Sequence, residues 1–486
     1  MKAGFFWRLT QPARPRFAGQ LRTVWCRQVS TDRKWSTPLA KTLAEAITTT
    51  GPVSLAAFMR QCLTSDLGGY YTAQSPPGRD QFGQKGDFIT SPEISQIFGE
   101  LVGIWMVAEW LAQGKRSSGV ELIEVGPGRG TLMDDILRTI RNFKEMASSI
   151  EGIYLIEASP SLRDAQKKLL CGEAPMGEVD GGHRSICKYI DAPVIWYEDI
   201  RMVPKGNDKA PFIVAHEFFD ALPIHAFELV LAEEEKPPVV RPDQPPQAPK
   251  FRLQWRELLV SPTPPPSVIT DSSSKTPAGD DPDFQLSLAR AVTRHSLMLP
   301  KTSKRYKDLE AQEGSIIEIC PEGQIYAEEF ARRIGGGAGI EKGNASGAAL
   351  ILDYGPASTI PTNSLRGIRE HRTVSPFSSP GLVDISADVD FVALAEAAIN
   401  ASPLVEVHGP VEQAYFLQTM GIQERAKQLL NNAGTDAEMR KRLESGWKRL
   451  VDRGGSGMGK VYKAMAIVPV SDGSRRPVGF GGDITS

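Results

Sequence analysis

Along most of this chain the apolar positions recur in two rhythms. From residue 120 to 216, short and nearly unbroken apolar runs alternate with stretches whose apolar residues return every three to four positions. The runs Val120–Val125, Gly152–Glu157, Val194–Trp196 and Pro211–His216 read as strands, and Leu132–Phe143 and Pro160–Leu170 as helices between them. Continuous apolar strands alternating with helices predict an α/β fold, with a parallel sheet covered on both faces. The pattern resumes with strand Ala348–Tyr354, helix Ala387–Ile399, a short strand Leu404–His408, helices Tyr415–Ala433 and Arg440–Val451, and a closing strand Lys460–Val468. Seven strands are predicted for one sheet, the last two forming a hairpin-like end. Residues 38–112 are helical instead, with amphipathic repeats at Leu39–Ile47, Val53–Cys62 and Ser91–Leu111. The aperiodic loop Gly68–Thr90 between them is a candidate lid.

Three stretches break the rhythm. Residues 233–283 hold a Glu-Glu-Glu run, many prolines and Ser272–Ser274, and are too poor in hydrophobes to pack, so a disordered insertion is expected. It separates two strand-like pieces, Ile224–Leu231 and Phe251–Val260, able to pair as a hairpin with a long tip. Gly335–Gly347 is glycine-rich and reads as a flexible connection. Residues 1–31 carry Lys2 and five arginines before the first acid, Asp32, with Phe5, Phe6, Trp7, Leu21 and Trp25 interleaved. That is the composition of a mitochondrial transit peptide; a solvated basic tail has no use for those large apolar residues.

Charge and cysteines narrow the class. A net charge of −2 over 486 residues makes no electrostatic case for nucleic acid. Five scattered cysteines without a C-x-x-C argue against a disulfide framework and against structural zinc, and no metal site is expected. The longest apolar stretch, Ile97–Leu111, is interrupted by Glu100 and Glu109, so no membrane span is expected.

The chemistry concentrates at strand ends, where ligands sit in such sheets. Val120–Val125 runs into Gly126-Pro127-Gly128-Arg129-Gly130, whose glycines let the backbone turn sharply and approach a ligand. The dinucleotide fingerprint needs a glycine three positions after Gly128, where this chain has Thr131. Glu124, two residues before the first glycine, would repel a pyrophosphate and attract a cofactor bearing an ammonium and a sulfonium. S-adenosyl-L-methionine is such a cofactor, and the segment resembles motif I of the class I methyltransferases. Glu157, leaving the second strand, suits the two ribose hydroxyls, and Asp199 the adenine amino group. Gly86 and Asp87, in the loop before a helix start at Ser91 and Pro92, are candidates for further cofactor contact.

The fourth strand ends in His216-Glu217-Phe218-Phe219-Asp220. Two acids can clamp a guanidinium, concentrate electron density on one nitrogen and take its proton, which makes Glu217 and Asp220 the catalytic candidates. Phe218 and Phe219 can stack on the planar group. The plain alternative is a turn whose phenylalanines belong to the core and which exposes one acid. His295, His371 and His408 stand isolated and read as structural.

Taken in order, GDFITSPEISQIFGELVGIW, ELIEVGPGRGTLMDDILR, HEFFDALPIHAFE, ALILDYG, DISADVDF and GPVEQAYFLQTMGI resemble the mitochondrial complex I assembly-factor arginine methyltransferases, also called the mitochondrial dysfunction protein A family. The likeness runs from about Leu43 to Ile467. It implies a seven-stranded, Rossmann-like class I methyltransferase sheet with an N-terminal helical region and inserted segments. It further implies residence in the mitochondrial matrix and symmetric dimethylation of an arginine on the 49-kDa core subunit of complex I. Gly126, Gly128, Gly130 and Glu157 match the family's donor-binding pattern, and Glu217 and Asp220 its acidic motif. One departure is His216, where the family commonly has asparagine. The division expected is a transit peptide at 1–35, a helical cap region with the lid at 36–116, the methyltransferase domain at 117–232 and 284–470 around the insertion 233–283, and a disordered tail at 471–486. Two rivals remain: a non-catalytic complex I assembly chaperone that keeps the fold, and a nicotinamide oxidoreductase, which Thr131 and Glu124 disfavour.

Overall fold

A nine-stranded sheet forms the centre of the chain in a computed structural model, which describes residues 33–72, 86–87, 89–233, 251–264, 282–338, 342–434, 436–455, 457–471 and 475–481. Residues 1–32 of the expected transit peptide (1–35), most of the lid loop and residues 234–250 and 265–281 of the insertion lie outside the described residues.

The strands of the central sheet are β1 (Val120–Val125), β2 (Ile150–Ile156), β3 (Gly177–Val179), β4 (Gly182–Ile186), β5 (Pro193–Tyr197), β6 (Ala210–His216), β7 (Ala348–Tyr354), β8 (Val405–Glu412) and β9 (Tyr462–Pro469), in the spatial order β8-β9-β7-β6-β1-β2-β5-β4-β3. The five inner strands β5, β2, β1, β6 and β7 run parallel; β9 joins antiparallel to β7, and β8 to β9. All seven expected strands are present. The polar pair β3–β4 adds an antiparallel margin that hydrophobic patterning does not mark. The chain winds outward from β1 through β2 to β5, then crosses back to β6, so the switch point lies between β1 and β6.

Strand alternation sorts the two faces. Val120 and Leu122 of β1, Ile153 and Leu155 of β2, and Phe212 and Val214 of β6 pack under the helices Gln96–Ala112 and Thr131–Ile140. Ile123, Val125, Tyr154, Ile156, Ile213 and Ala215 face the helices Pro321–Gly335 and Phe391–Ala401. By the same parity Glu124, Glu157 and His216 leave their strands on the first face. The acids inside helix Gln96–Ala112 are compensated: Glu100 pairs with Arg138 at 3.0 Å and Arg425 at 2.7 Å, and Glu109 with Arg475. Among the described residues no helix is long and apolar enough to cross a membrane.

A second, antiparallel sheet joins His225–Glu233, Phe251–Pro262, Phe284–Leu288, Ile316–Ile319 and the pair Val53–Ser54. Here the structure corrects the expected disorder at 233–283: Phe251–Pro262 is the longest strand among the described residues, paired with His225–Glu233 as the hairpin expectation required. Its buried residues Trp255 and Val260 anchor it, and composition averaged over the proline-rich flanks conceals them. The tail is also partly fixed, since Phe480 packs on Phe416 and Arg475 answers buried Glu109. The expected helix Tyr415–Ala433 is two, Gln413–Thr419 and Ile422–Asn432, because Gly421 takes a left-handed φ of 85°. Likewise Ser91–Leu111 divides at Ser95, which caps the longer helix, while Ser91 opens a single turn.

Candidate active site

Where β1, β2 and β6 end, a cavity of about 280 Å³ opens at the switch point. The glycine turn forms one wall. Gly126, Gly128 and Gly130 all have positive φ (66°, 52° and 84°), and a Cβ on Gly126 would meet Phe218 Cδ2 at 2.6 Å. Glycine is therefore demanded by backbone conformation and by a close approach together. Gly126 and Gly128 line the cavity, and Gly130 caps the following helix instead.

Glu124 lies beneath that turn and lines the cavity, 2% exposed, its Oε2 without a hydrogen-bond partner among the described residues. Burial, seconded by the nearby charge of Glu157, pushes its carboxyl up to about 8. Glu157 also lines the cavity and is held on both oxygens, by the Ser159 N–H at 2.8 Å and by Gln166 Nε2 at 3.0 Å. Burial pushes it up to about 7 against those bonds. Gln166 further donates to Gly128 O at 2.6 Å and accepts from Trp196 Nε1 at 2.9 Å, fixing turn, acid and β5 to one another. It stands on the apolar stripe Leu162-Gln166-Leu170, and a glutamine in that place is the signal that could have marked it.

The acidic turn forms the opposite wall, and only half of it faces the cavity. Glu217 and Phe218 line it; Phe219 is core, edge-on to Phe330 at 6.1 Å. Asp220 is buried behind the wall with Oδ2 bonded to the Tyr354 hydroxyl. So the pairing of both acids and both rings on one substrate is corrected: Glu217 and Phe218 face the cavity, and the short 3₁₀ turn that starts at Phe219 turns Phe219 and Asp220 away from it. Glu217 has a φ of 48°, strained for a residue with a Cβ, and its Oε1 lacks a hydrogen-bond partner among the described residues. Burial and the charges of Asp220 and Asp353 raise its carboxyl well above the usual range.

What holds this turn comes from β7. Asp353 Oδ2 accepts from the N–H groups of Phe218, Phe219 and Asp220 at 3.1, 2.9 and 3.4 Å, and Oδ1 from Tyr354 N at 2.9 Å. Sequence reading sees Asp353 only as the acid that ends a strand. His216, edge-on to Phe98, points Nε2 to within 3.4 Å of Glu217 Oε1; burial takes the imidazole down to about 3, so it is neutral.

Three residues expected to contact the cofactor lie elsewhere. Asp199 is outside the cavity wall, its carboxylate taken by Arg201 N at 2.8 Å and by the Arg201 guanidinium, while its neighbour Glu198 lines the cavity. Asp87 is buried and bound by Tyr70 OH and Glu370 N, both at 2.8 Å, which pins the loop to the hairpin tip at Glu370–His371; Gly86 beside it is not in the wall either. Thr90, Pro92 and Glu93, a few residues on, do line it. His295 is not isolated, since it meets Glu257 at 3.2 Å, and His408 contacts Glu406 at 3.2 Å.

The wall thus offers acids on the two sides of one hollow: Glu124, Glu157 and Glu198 by the glycine turn, Glu217 on the other. Arg129, also in the wall, is 3.5 Å from Glu93. A cationic cofactor fits the unpartnered Glu124 Oε2 and the bare glycine backbone, and Glu157 retains lone pairs for hydroxyl donors.

Comparison with known proteins agrees. Residues 101–411 match the family described as "Putative S-adenosyl-L-methionine-dependent methyltransferase". The chain is 34% identical to the Xenopus laevis protein named "Protein arginine methyltransferase NDUFAF7, mitochondrial", over 87% of this chain and 83% of that one. It is likewise 34% identical to the Homo sapiens protein of the same name, over 89% and 84%. A crystal structure from Burkholderia thailandensis, solved with S-adenosyl-homocysteine, shares the fold with a TM-score of 0.62 at 20% identity, covering 91% of this chain and 93% of that one. With a cavity of matching chemistry at the switch point, the chain belongs to the NDUFAF7 family of S-adenosyl-L-methionine-dependent methyltransferases.

Proposed function

We propose that the chain is a protein-arginine methyltransferase of the mitochondrial matrix, which symmetrically dimethylates an arginine on the 49-kDa core subunit of complex I during assembly. One observation carries the reading. Glu124 Oε2 and Glu217 Oε1, both buried and without hydrogen-bond partners among the described residues, belong to opposite walls of one cavity. Two uncompensated carboxylates so placed suit two cations, a donor on the glycine side and a guanidinium on the other. The names of the relatives support arginine as the acceptor and the mitochondrion as the compartment. The matrix, the subunit and the symmetric product rest on the family resemblance.

S-adenosyl-L-methionine supplies, when bound, a methyl group on a sulfonium that needs no covalent help to leave. Glu124 would face its cationic end, Glu157 its ribose and Glu198 the adenine side. In the free protein burial favours the neutral form of Glu217; an entering guanidinium favours the ionised form, which then orients one N–H. With the donor bound, ionised Glu217 would hold one guanidinium N–H and accept the proton that this nitrogen gives up on methylation, a task its raised proton affinity suits. Phe218 offers a ring face to the planar group. Asp220 acts from behind through its charge and through Tyr354. Most of the rate would come from positioning in a water-poor hollow.

Incubating the protein with labelled donor and a mitochondrial extract, then mapping the label by mass spectrometry, tests the reading. Label on an arginine of the complex I subunit is expected. Tight donor binding in calorimetry with no labelled arginine would reject it in favour of the assembly chaperone.

A further inference from the structure

A second convergence of polar side chains stands on the antiparallel sheet, outside the methyl-donor cavity. Strand alternation accounts for two of its members. His225 and Phe227 are two residues apart and share a face, their rings parallel and 6.2 Å apart. Phe227 is paired directly with Glu257 of the neighbouring strand, so Glu257 rises from that same face. The third member arrives on another element. Thr293 caps the short helix Arg294–Met298 in a reciprocal capping box with Ser296, which fixes the first turn, where His295 sits.

The three side chains meet at one point. His225 Nδ1 is 2.8 Å from Glu257 Oε1, and His295 Nδ1 is 3.2 Å from that oxygen and 3.3 Å from the other. The two imidazole centres are 4.2 Å apart, and one ligand-type atom from each residue lies within 4.8 Å of the other two.

We propose that His225, Glu257 and His295 form a binding site for a divalent transition ion of the zinc class. Bonds of about 2.0–2.2 Å in tetrahedral array put ligand atoms roughly 3.3 Å apart. The His295–Glu257 separations already have that value, and the His225 contact needs to open by a few tenths of an ångström. Two imidazoles and a carboxylate select zinc, copper or nickel over magnesium or calcium, which want oxygen throughout. Thr293 Oγ1 donates to Glu257 Oε2, the outer hydrogen bond that orients a ligating carboxylate. Access is graded as well: the Glu257 side chain is 2% exposed and that of His295 49%, so the ion arrives from the His295 side and its fourth position faces solvent. The bound ion ties helix Arg294–Met298 to the hairpin. It also braces the start of strand His225–Glu233, three residues after Leu222 of the cavity wall. Its role is that of a clasp.

A purely hydrogen-bonded clasp of the same three residues makes the competing prediction, and His295→Gln separates the two. The glutamine amide can still donate to Glu257 but replaces a zinc ligand with a poor one. The full chain, stripped with chelator, is titrated with Zn²⁺ in calorimetry and melted with and without it. One Zn²⁺ per chain and a zinc-dependent rise in melting temperature are expected for the wild type. In His295→Gln both should be lost, while its metal-free melting temperature stays that of the wild type. No zinc uptake by the wild type would overturn the site. So would equal uptake by His295→Gln, which would put the ion elsewhere, for example at a cysteine.

Discussion

The glycine turn after β1 and the acidic turn after β6 sit at the ends of adjacent parallel strands and face one cavity, yet they are built on opposite plans. The glycine turn is local: three residues without side chains take three positive φ values, and the segment needs little else to bend. The acidic turn contains no glycine. Its Glu217 is held at φ 48° by a carboxylate that arrives 133 to 135 residues later in the chain. One turn is thus encoded by its own residues and the other by a tertiary partner. They meet where Phe218 lies against Gly126.

Removing the partner should break the second turn and spare the first. Asp353→Ala leaves the N–H groups of Phe218, Phe219 and Asp220 without their acceptor, in a wall closed to water. A loss of about 3 kcal/mol in urea unfolding is expected, from three backbone bonds to one buried carboxyl group. Methyl transfer should fall below detection, because Glu217 then relaxes toward an ordinary φ and leaves the cavity. Donor affinity, measured by calorimetry at a temperature where the variant is folded, should change by less than about tenfold, or about 1.4 kcal/mol. Equal losses of donor affinity and transfer would show the two turns to be a single unit and end the contrast.

The same contrast explains what could be read in advance. The five parallel strands were legible from their nearly continuous apolar runs, and the closing pair from the spacing around them, since β8 (Val405–Glu412) is itself mixed in polarity. Glu124, Gly126 and Gly128 were legible because the glycine pattern is contiguous. Asp353 was not, since nothing local distinguishes a strand-ending acid that caps a distant turn from one that meets solvent. Asp220 and Phe219 look equivalent to Glu217 and Phe218 in sequence, and only the 3₁₀ geometry sends them behind the wall. The helix Pro321–Gly335 follows a similar rule: Phe330 and Ile334 carry its buried stripe, but Arg333, buried beside Glu329, blurs the amphipathic signal. The hairpin β3–β4 is short and polar, and it forms because β5 offers an edge.

A pH titration sharpens the donor half of the comparison. In the free protein Glu124 ionises near 8 and Glu157 near 7, both raised chiefly by burial. The donor binds both groups as carboxylates, Glu124 at its cationic end and Glu157 accepting from the ribose hydroxyls, so at a pH below those values binding must also expel protons. Donor affinity should therefore rise with pH, by up to about tenfold per unit for each group still protonated, and level off above about pH 8. Glu124→Gln should weaken binding at pH 8 and flatten the upper part of the rise, leaving the Glu157 part in place. A wild-type affinity that stays constant between pH 6 and 8 would mean that neither carboxylate contacts the donor.

The smallest effect is expected from the least separated pair, Asp199 and Glu198. Adjacent acids at the end of β5 are indistinguishable by charge, yet one lines the cavity and the other turns to solvent and Arg201. The Arg201 side chain is 71% exposed, so the pair with Asp199 adds at most about 1 kcal/mol to stability, and salt screens it. Asp199→Asn should accordingly leave donor affinity within about twofold of wild type, whereas Glu198→Gln should weaken it several-fold by removing a carboxylate from the wall. Calorimetry on the two variants side by side decides the matter. If Asp199→Asn lost more affinity than Glu198→Gln, the strand would have to end one residue out of register with the arrangement described here, and the adenine side of the cavity would have to be rebuilt around Asp199.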